Sequence, residues 1–228
     1  MWGGIVTITI SELLEKSFVL SVSPARYDTF CHRFSKYGLN KPLPRLYRGF
    51  ELKNGVYNKI GLIKTNNICN CNISHVCLVK VIQSLDWDYV CIFEDDALPC
   101  KNVIRDLTYY LTDIPDDTDM IKFGHLTQNI PCTASNNNNN NNNNKFIRQK
   151  TLGSHAYLIF KKYYAQFAES FLVEQRIDRL CMNDTTKNIY STNKLLFIQD
   201  DRNFNDSLHG NSTYIESNHS VDLTDFEL

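Results

Sequence analysis

An α/β fold, with a mostly parallel central sheet flanked by helices, is implied by three features of this 228-residue chain. Strand-like and helix-like segments alternate over most of its length. Two short, continuous apolar runs, Phe18-Val19-Leu20 and Tyr89-Val90-Cys91-Ile92-Phe93, read as strands buried on both faces. The second run stops abruptly at Glu94-Asp95-Asp96-Ala97, which places three carboxylates at a strand end.

The first strand spans Lys16 to Val22 and is closed by Ser23-Pro24. Tyr27, Phe30, Phe34 and Tyr37 then recur at spacings of three and four, which predicts an amphipathic helix ending at Gly38. Leu46 to Phe50 is a candidate second strand, and the polar stretch Lys53 to Asn67 reads as a loop. Ser74 fits the N-cap of a helix over Ser74 to Leu85, with Leu78, Val79, Ile82 and Leu85 on one face. Asp86-Trp87-Asp88 turns the chain into the strand Tyr89 to Phe93. Further on, Asn102 to Leu111 and Tyr163 to Gln175 read as helices, and Asp119 to Gly124 and Ala156 to Phe160 as strands.

One domain over residues 1–228 accounts for this pattern, with its core at about 17–200. The tract Asn136 to Asn144 is low in complexity and is expected to be a loop insertion. Beyond Asn203 the chain turns polar, as expected of a tail that is either laid over the domain or partly disordered.

Composition narrows the function classes. Lys and Arg number 24 against 25 Asp and Glu, a formal charge of −1, which argues against a nucleic-acid binder. No run approaches the ~20 apolar residues that cross a bilayer. The opening Met1 to Ile10 lacks a basic start and runs into Ser11-Glu12, so neither a signal peptide nor a transmembrane segment is expected. The eight cysteines are accordingly read as reduced thiols in a cytoplasmic protein.

Glu94-Asp95-Asp96 is the strongest chemical signal. Adjacent carboxylates raise one another's pKa unless a cation stands between them, and Mg²⁺ or Mn²⁺ favours such oxygens. If the strand stays extended, Glu94 and Asp96 share one side. The carboxyl end of a central strand is also where open α/β sheets bind ligands. Asn70-Cys71-Asn72-Ile73-Ser74-His75 is the second candidate. Adjacent Ser and His rarely form a catalytic pair, so capping by Ser74 with His75 packed nearby is the simpler expectation. Cys69, Cys71, Cys77 and His75 lack the second half of a zinc-finger spacing, which favours buried thiols over a metal site. Gly153-Ser154-His155 is a glycine turn entering an apolar strand, allowing close backbone approach to a ligand, with His155 at the sheet mouth or simply structural. Asp178 follows the last helix as either a partner of Arg176 or Arg179, or a catalytic carboxylate. No dinucleotide, phosphate-loop, nucleophile-elbow or zincin motif is present.

Together these segments resemble glycosyltransferase family 25, the group of lipooligosaccharide β-galactosyltransferases, from about Phe18 to Ser207. Residues 70–75 are similar to its Gly-Cys-x-x-Ser-His block, with Asn70 in place of the glycine, and Cys91 to Ala97 to its apolar-Glu-Asp-Asp-Ala block. Asp119 to Gly124, Gly153 to Ile159 and Ile177-Asp178 resemble three further blocks in the family's order. The cluster of arginines after the family's first strand is reduced here to Arg26.

The resemblance implies a GT-A-like nucleotide-sugar-binding fold. It also implies a metal-dependent hexosyltransferase that moves a hexose, galactose first, from a UDP-sugar to a saccharide acceptor such as lipopolysaccharide, with inversion. Asp96 and Glu94 would bind Mn²⁺ or Mg²⁺. Glu94, Asp95, Ser74, His75, Gly153 and His155 would line the substrates, and Asp178 would be the general base. The enzyme would act in the cytoplasm, peripherally at the inner face of the membrane. The alternative is an inactive GT-A-like domain that binds a nucleotide sugar or a partner.

Overall fold

The computed structural model describes residues 5–50, 67–126, 145–148, 151–169, 185–200 and 225–226. A seven-stranded sheet runs in the order β3-β2-β4-β9-β7-β10-β8. Its members are β2 (Ser17–Ser21), β3 (Arg45–Arg48), β4 (Tyr89–Glu94), β7 (Met120–Leu126), β8 (Phe146–Ile147), β9 (Leu152–Phe160) and β10 (Ile189–Thr192). β2 pairs in parallel with β3 and β4, and β7 in parallel with β10. β9 lies antiparallel between β4 and β7, so those two point the same way. Five strands therefore share one direction, and only β9 and the edge strand β8 oppose it. The expected α/β class and mostly parallel sheet are present.

Helices cover both faces, which is why β4 is apolar throughout. Cys91 and Phe93 face a core built with Phe30 and Phe34 of α2 (Pro24–Lys36) and Val103, Leu107 and Leu111 of α4 (Val103–Leu111). Val90 and Ile92 face the opposite core, against Val76, Val79 and Ile82 of α3 (Asn67–Gln83) and Tyr163, Tyr164 and Phe167 of α5 (Lys161–Glu169). Two short pairings flank the main sheet: β1 (Ile5–Val6) with β6 (Ile114–Pro115), and β5 (Ala97–Pro99) with β11 (Phe197–Gln199). Phe226 returns from the polar tail to bury itself in the α2-side core.

Several sequence expectations are corrected. A short helix α1 (Ile10–Glu15) precedes the first strand, started by a capping box in which Thr9 and Glu12 bond reciprocally. α3 begins at Asn67, seven residues before Ser74, so Ser74 is inside the helix and not its N-cap. Its hydroxyl donates to the Asn70 carbonyl one turn back, at 2.6 Å. Leu85 lies beyond the end of α3 and is exposed. The second strand is shifted to Arg45–Arg48. Gly153 to His155 belong to β9 and are not a turn before it. The Lys53 to Asn66 part of the expected loop, the Asn136 to Asn144 tract, the helix end near Gln175, and Asp178 with Arg176 and Arg179 lie outside the described residues.

Candidate active site at the carboxyl edge of the sheet

β2 and β4 run in parallel, so Ser21 and Glu94 finish at the same edge of the sheet. β9 starts there, because its antiparallel register sets Ala156 opposite Phe93. The N-terminus of α2, the middle of α3 and the end of β11 close around this edge. It gathers the acidic motif, Ser74, His75, Gly153, Ser154, Arg26 and Gln199.

The extended strand ends at Glu94, and Asp95 and Asp96 form a turn. The two-residue alternation that would set Glu94 and Asp96 on one side therefore stops at Glu94. Each carboxylate has its own partners instead. Glu94 Oε1 lies 3.1 Å from His75 Nε2 and accepts the Ser154 hydroxyl proton. Burial opposes its ionisation, but His75, Ser154 and the nearby His155 together hold its pKa down to about 2. His75 is fully buried, and its Nδ1 is 2.8 Å from the Tyr157 hydroxyl. The ring is thus held at both nitrogens.

Asp95 is buried between the Ser21 hydroxyl, which donates to Oδ2 at 2.6 Å, and the Arg26 guanidinium, which pairs with Oδ1. Its backbone N–H extends the ladder to the Leu20 carbonyl. Burial pushes its carboxyl above the ordinary range; Arg26 and Ser21 oppose the shift, and the Glu94 charge adds to it.

Asp96 is buried as well. Its Oδ2 accepts from the Gln199 amide at 2.8 Å. Its Oδ1 is buried and, among the described residues, has no hydrogen-bond partner. Burial drives its carboxyl well above the usual range, Glu94 and Asp95 drive it further, and Gln199 and Arg26 only partly offset them. An unsatisfied buried carboxylate oxygen beside two more carboxylates is a donor set suited to a hard divalent cation. The Asp200 backbone N–H holds the Asp96 carbonyl at 2.8 Å, while the Asp200 side chain pairs with Arg33 at 3.2 Å.

Ser74 and Gly153 serve this edge through the backbone. The Ser74 hydroxyl accepts the Phe50 N–H at 2.8 Å, tying α3 to the segment after β3. Gly153 has a positive φ of 106°, a conformation that glycine adopts readily. His155 is buried, with Nε2 3.2 Å from the Phe197 carbonyl, so its ring packs under β11.

Sequence reasoning passed over Ser21, Ser154, Tyr157 and Gln199. A serine closing one apolar strand and another opening a later one was a readable signal for the first two. Tyr157 and Gln199 required the register of β9 and β11.

No family model and no curated protein matches the sequence. Among solved structures, the chain is similar to a glycosyltransferase involved in the glycosylation of the major capsid of PBCV-1. The TM-score is 0.51 over 89% of this chain and 95% of that one, at 6% sequence identity. The two chains share a fold. At that identity the likeness concerns architecture, and the chemistry has to be argued from the side chains at the sheet edge. Among the described residues, no helix is long and apolar enough to cross a membrane.

Proposed function

We propose that this chain is a metal-dependent glycosyltransferase of the family 25 type, with a GT-A-like fold. It moves a hexose, galactose first, from a UDP-sugar to a saccharide acceptor such as lipopolysaccharide, with inversion. The observation that carries the reading is Asp96, buried at the carboxyl edge of β4 with one carboxylate oxygen unsatisfied among the described residues.

Mn²⁺ or Mg²⁺ fits this oxygen, with Asp96 and Glu94 as the residues that would hold it. When bound, the ion supplies Lewis-acid neutralisation of the leaving diphosphate. The chain's own residues hold the rest in place. Arg26 and Ser21 fix Asp95, which is assigned the donor ribose. His75 and Ser154 fix the Glu94 carboxylate in one orientation. Ser74 anchors α3 beside the donor, and Gly153 lets backbone approach it. Asp178 is assigned the acceptor hydroxyl proton, which an inverting transfer must pass to a base. The work is done peripherally at the cytoplasmic face of a membrane.

The test is a hydrolysis and transfer screen of UDP-Gal, UDP-Glc, UDP-GlcNAc and UDP-GalNAc with and without Mn²⁺. Turnover of one donor that needs Mn²⁺ and is lost in Asp96→Asn is the expected result. Donor binding without turnover would establish the inactive, binding-only alternative. Failure to bind any of the four would overturn both.

A further inference from the structure

We propose that Cys71, His75 and Glu94 form a site for a borderline-soft divalent cation, Zn²⁺ foremost, which shares only Glu94 with the acidic motif. Cys71 and His75 stand four residues apart on α3, so they lie on one face of that helix, roughly 5–6 Å apart at Cβ. Glu94 reaches them from the end of β4. The thiol sulfur, an imidazole nitrogen and a carboxylate oxygen all lie within 4.8 Å of one another.

In tetrahedral zinc, ligand atoms stand roughly 3.3–3.8 Å apart, given bonds of about 2.0–2.3 Å. His75 Nε2 and Glu94 Oε1, at 3.1 Å, are already near that edge length.

The far side of the imidazole supports the assignment. A ligating histidine typically donates its other N–H to a fixed acceptor, which sets tautomer and ring orientation. Here the Tyr157 hydroxyl sits 2.8 Å from His75 Nδ1. In the tautomer that donates from Nε2 to Glu94, Tyr157 donates to Nδ1. With metal, that proton moves to Nδ1 and is donated to the Tyr157 oxygen, which frees the Nε2 lone pair. The Cys71 thiol releases one proton to solvent, as thiolate coordination requires. Mixed sulfur, nitrogen and oxygen donors select Zn²⁺ over Mg²⁺ or Mn²⁺. Cys71 and Glu94 are only partly buried.

Glu94 is common to this site and to the proposed Mn²⁺ site, but the zinc assignment stands on Cys71 and His75 and holds whether or not Asp96 binds a metal. The test uses the full-length metal-free protein titrated with Co²⁺ as a spectroscopic probe and Zn²⁺ as competitor. Wild-type protein is expected to bind one equivalent with a thiolate-to-cobalt charge-transfer band that Zn²⁺ abolishes. Cys71→Ser should lose that band and weaken Zn²⁺ binding by roughly tenfold or more, with an unchanged circular dichroism spectrum. Cys77→Ser, on the same helix, should keep both band and affinity. A band that is absent from wild type, that survives Cys71→Ser, or that disappears in Cys77→Ser overturns the assignment.

Discussion

The imidazole of His155 occupies the space that a side chain on Gly124 would need. A Cβ at residue 124 would lie 2.2 Å from His155 Nε2 and 3.0 Å from the Phe197 carbonyl oxygen. β7 and β9 are irregular at this point, with register shifts on either side of Gly124. The glycine lets a buried imidazole lie flat between the main sheet and β11, and so positions the strand that delivers Gly153 and Ser154 to the site.

Gly124→Ala is therefore expected to destabilise the fold by about 1–3 kcal/mol, the range of overpacked cores. Urea unfolding measures it. His155→Ala made in the same chain should recover part of the loss, since the two residues contend for one volume. Additive losses in the double variant would show that the clash is not the cause.

Asp96→Asn is expected to stabilise the metal-free protein at neutral pH, because it removes a buried charge that Glu94 and Asp95 repel. The sign follows from linkage. The folded Asp96 carboxyl titrates above its ordinary 3.8, so the folded state holds an extra proton and loses stability as pH rises through that window. Asparagine keeps the shape without the charge. Mn²⁺ should raise the melting temperature of the wild type and not that of the variant. Thermal unfolding with and without Mn²⁺ over a pH series reads both effects.

Glu94 behaves in the opposite sense. Its folded pKa of about 2 is below the ordinary 4.5, so its contribution is complete above pH 4.5 and is lost as pH falls toward about 2. Glu94→Gln should lower stability at pH 7 and flatten the acid limb between those values. Denaturant midpoints at pH 7, 4 and 3 decide it; an acid limb as steep as wild type would place the titrating group elsewhere.

The core was largely legible because its signals are local. Val90 to Phe93 reads as a strand covered on both faces, and the spacing of Phe30 and Phe34 reads as a helix, whatever packs on them. α1 was hidden inside an apolar stretch, although Thr9 and Glu12 carry the capping-box spacing. Ser74 was misplaced because a serine hydroxyl can bond backbone either at a helix start or one turn back inside a helix, and the sequence does not say which. The direction of β9 leaves no local trace, so the meeting of Ser154 and Tyr157 with Glu94 and His75 could not be read. The acidic motif was legible as chemistry, yet its three separate sets of partners depend on where the strand stops.

Arg26 and Asp95 give the most direct test of how this edge tolerates its charge. Asp95 is buried beside two other carboxylates, and Arg26 is the cation that pairs with it. Removing the guanidinium strands a buried carboxylate, which costs about 3–5 kcal/mol where both partners are fully buried. Arg26 keeps 21% of its side chain exposed, so water reaches the pair and Arg26→Ala should cost about 2–4 kcal/mol at pH 7. The Asp95 carboxyl already titrates above 3.8 with the arginine present, and it should move further up without it. The penalty must then shrink as the medium is acidified and Asp95 takes up its proton. Arg26→Ala combined with Asp95→Asn should regain most of the loss, because asparagine can still accept from Ser21 without carrying a charge. Stability of the four members of this cycle at pH 7 and pH 4 measures the coupling. A penalty that is independent of pH, or that survives in the double variant, would mean that Arg26 acts through packing on α2 and not through its charge.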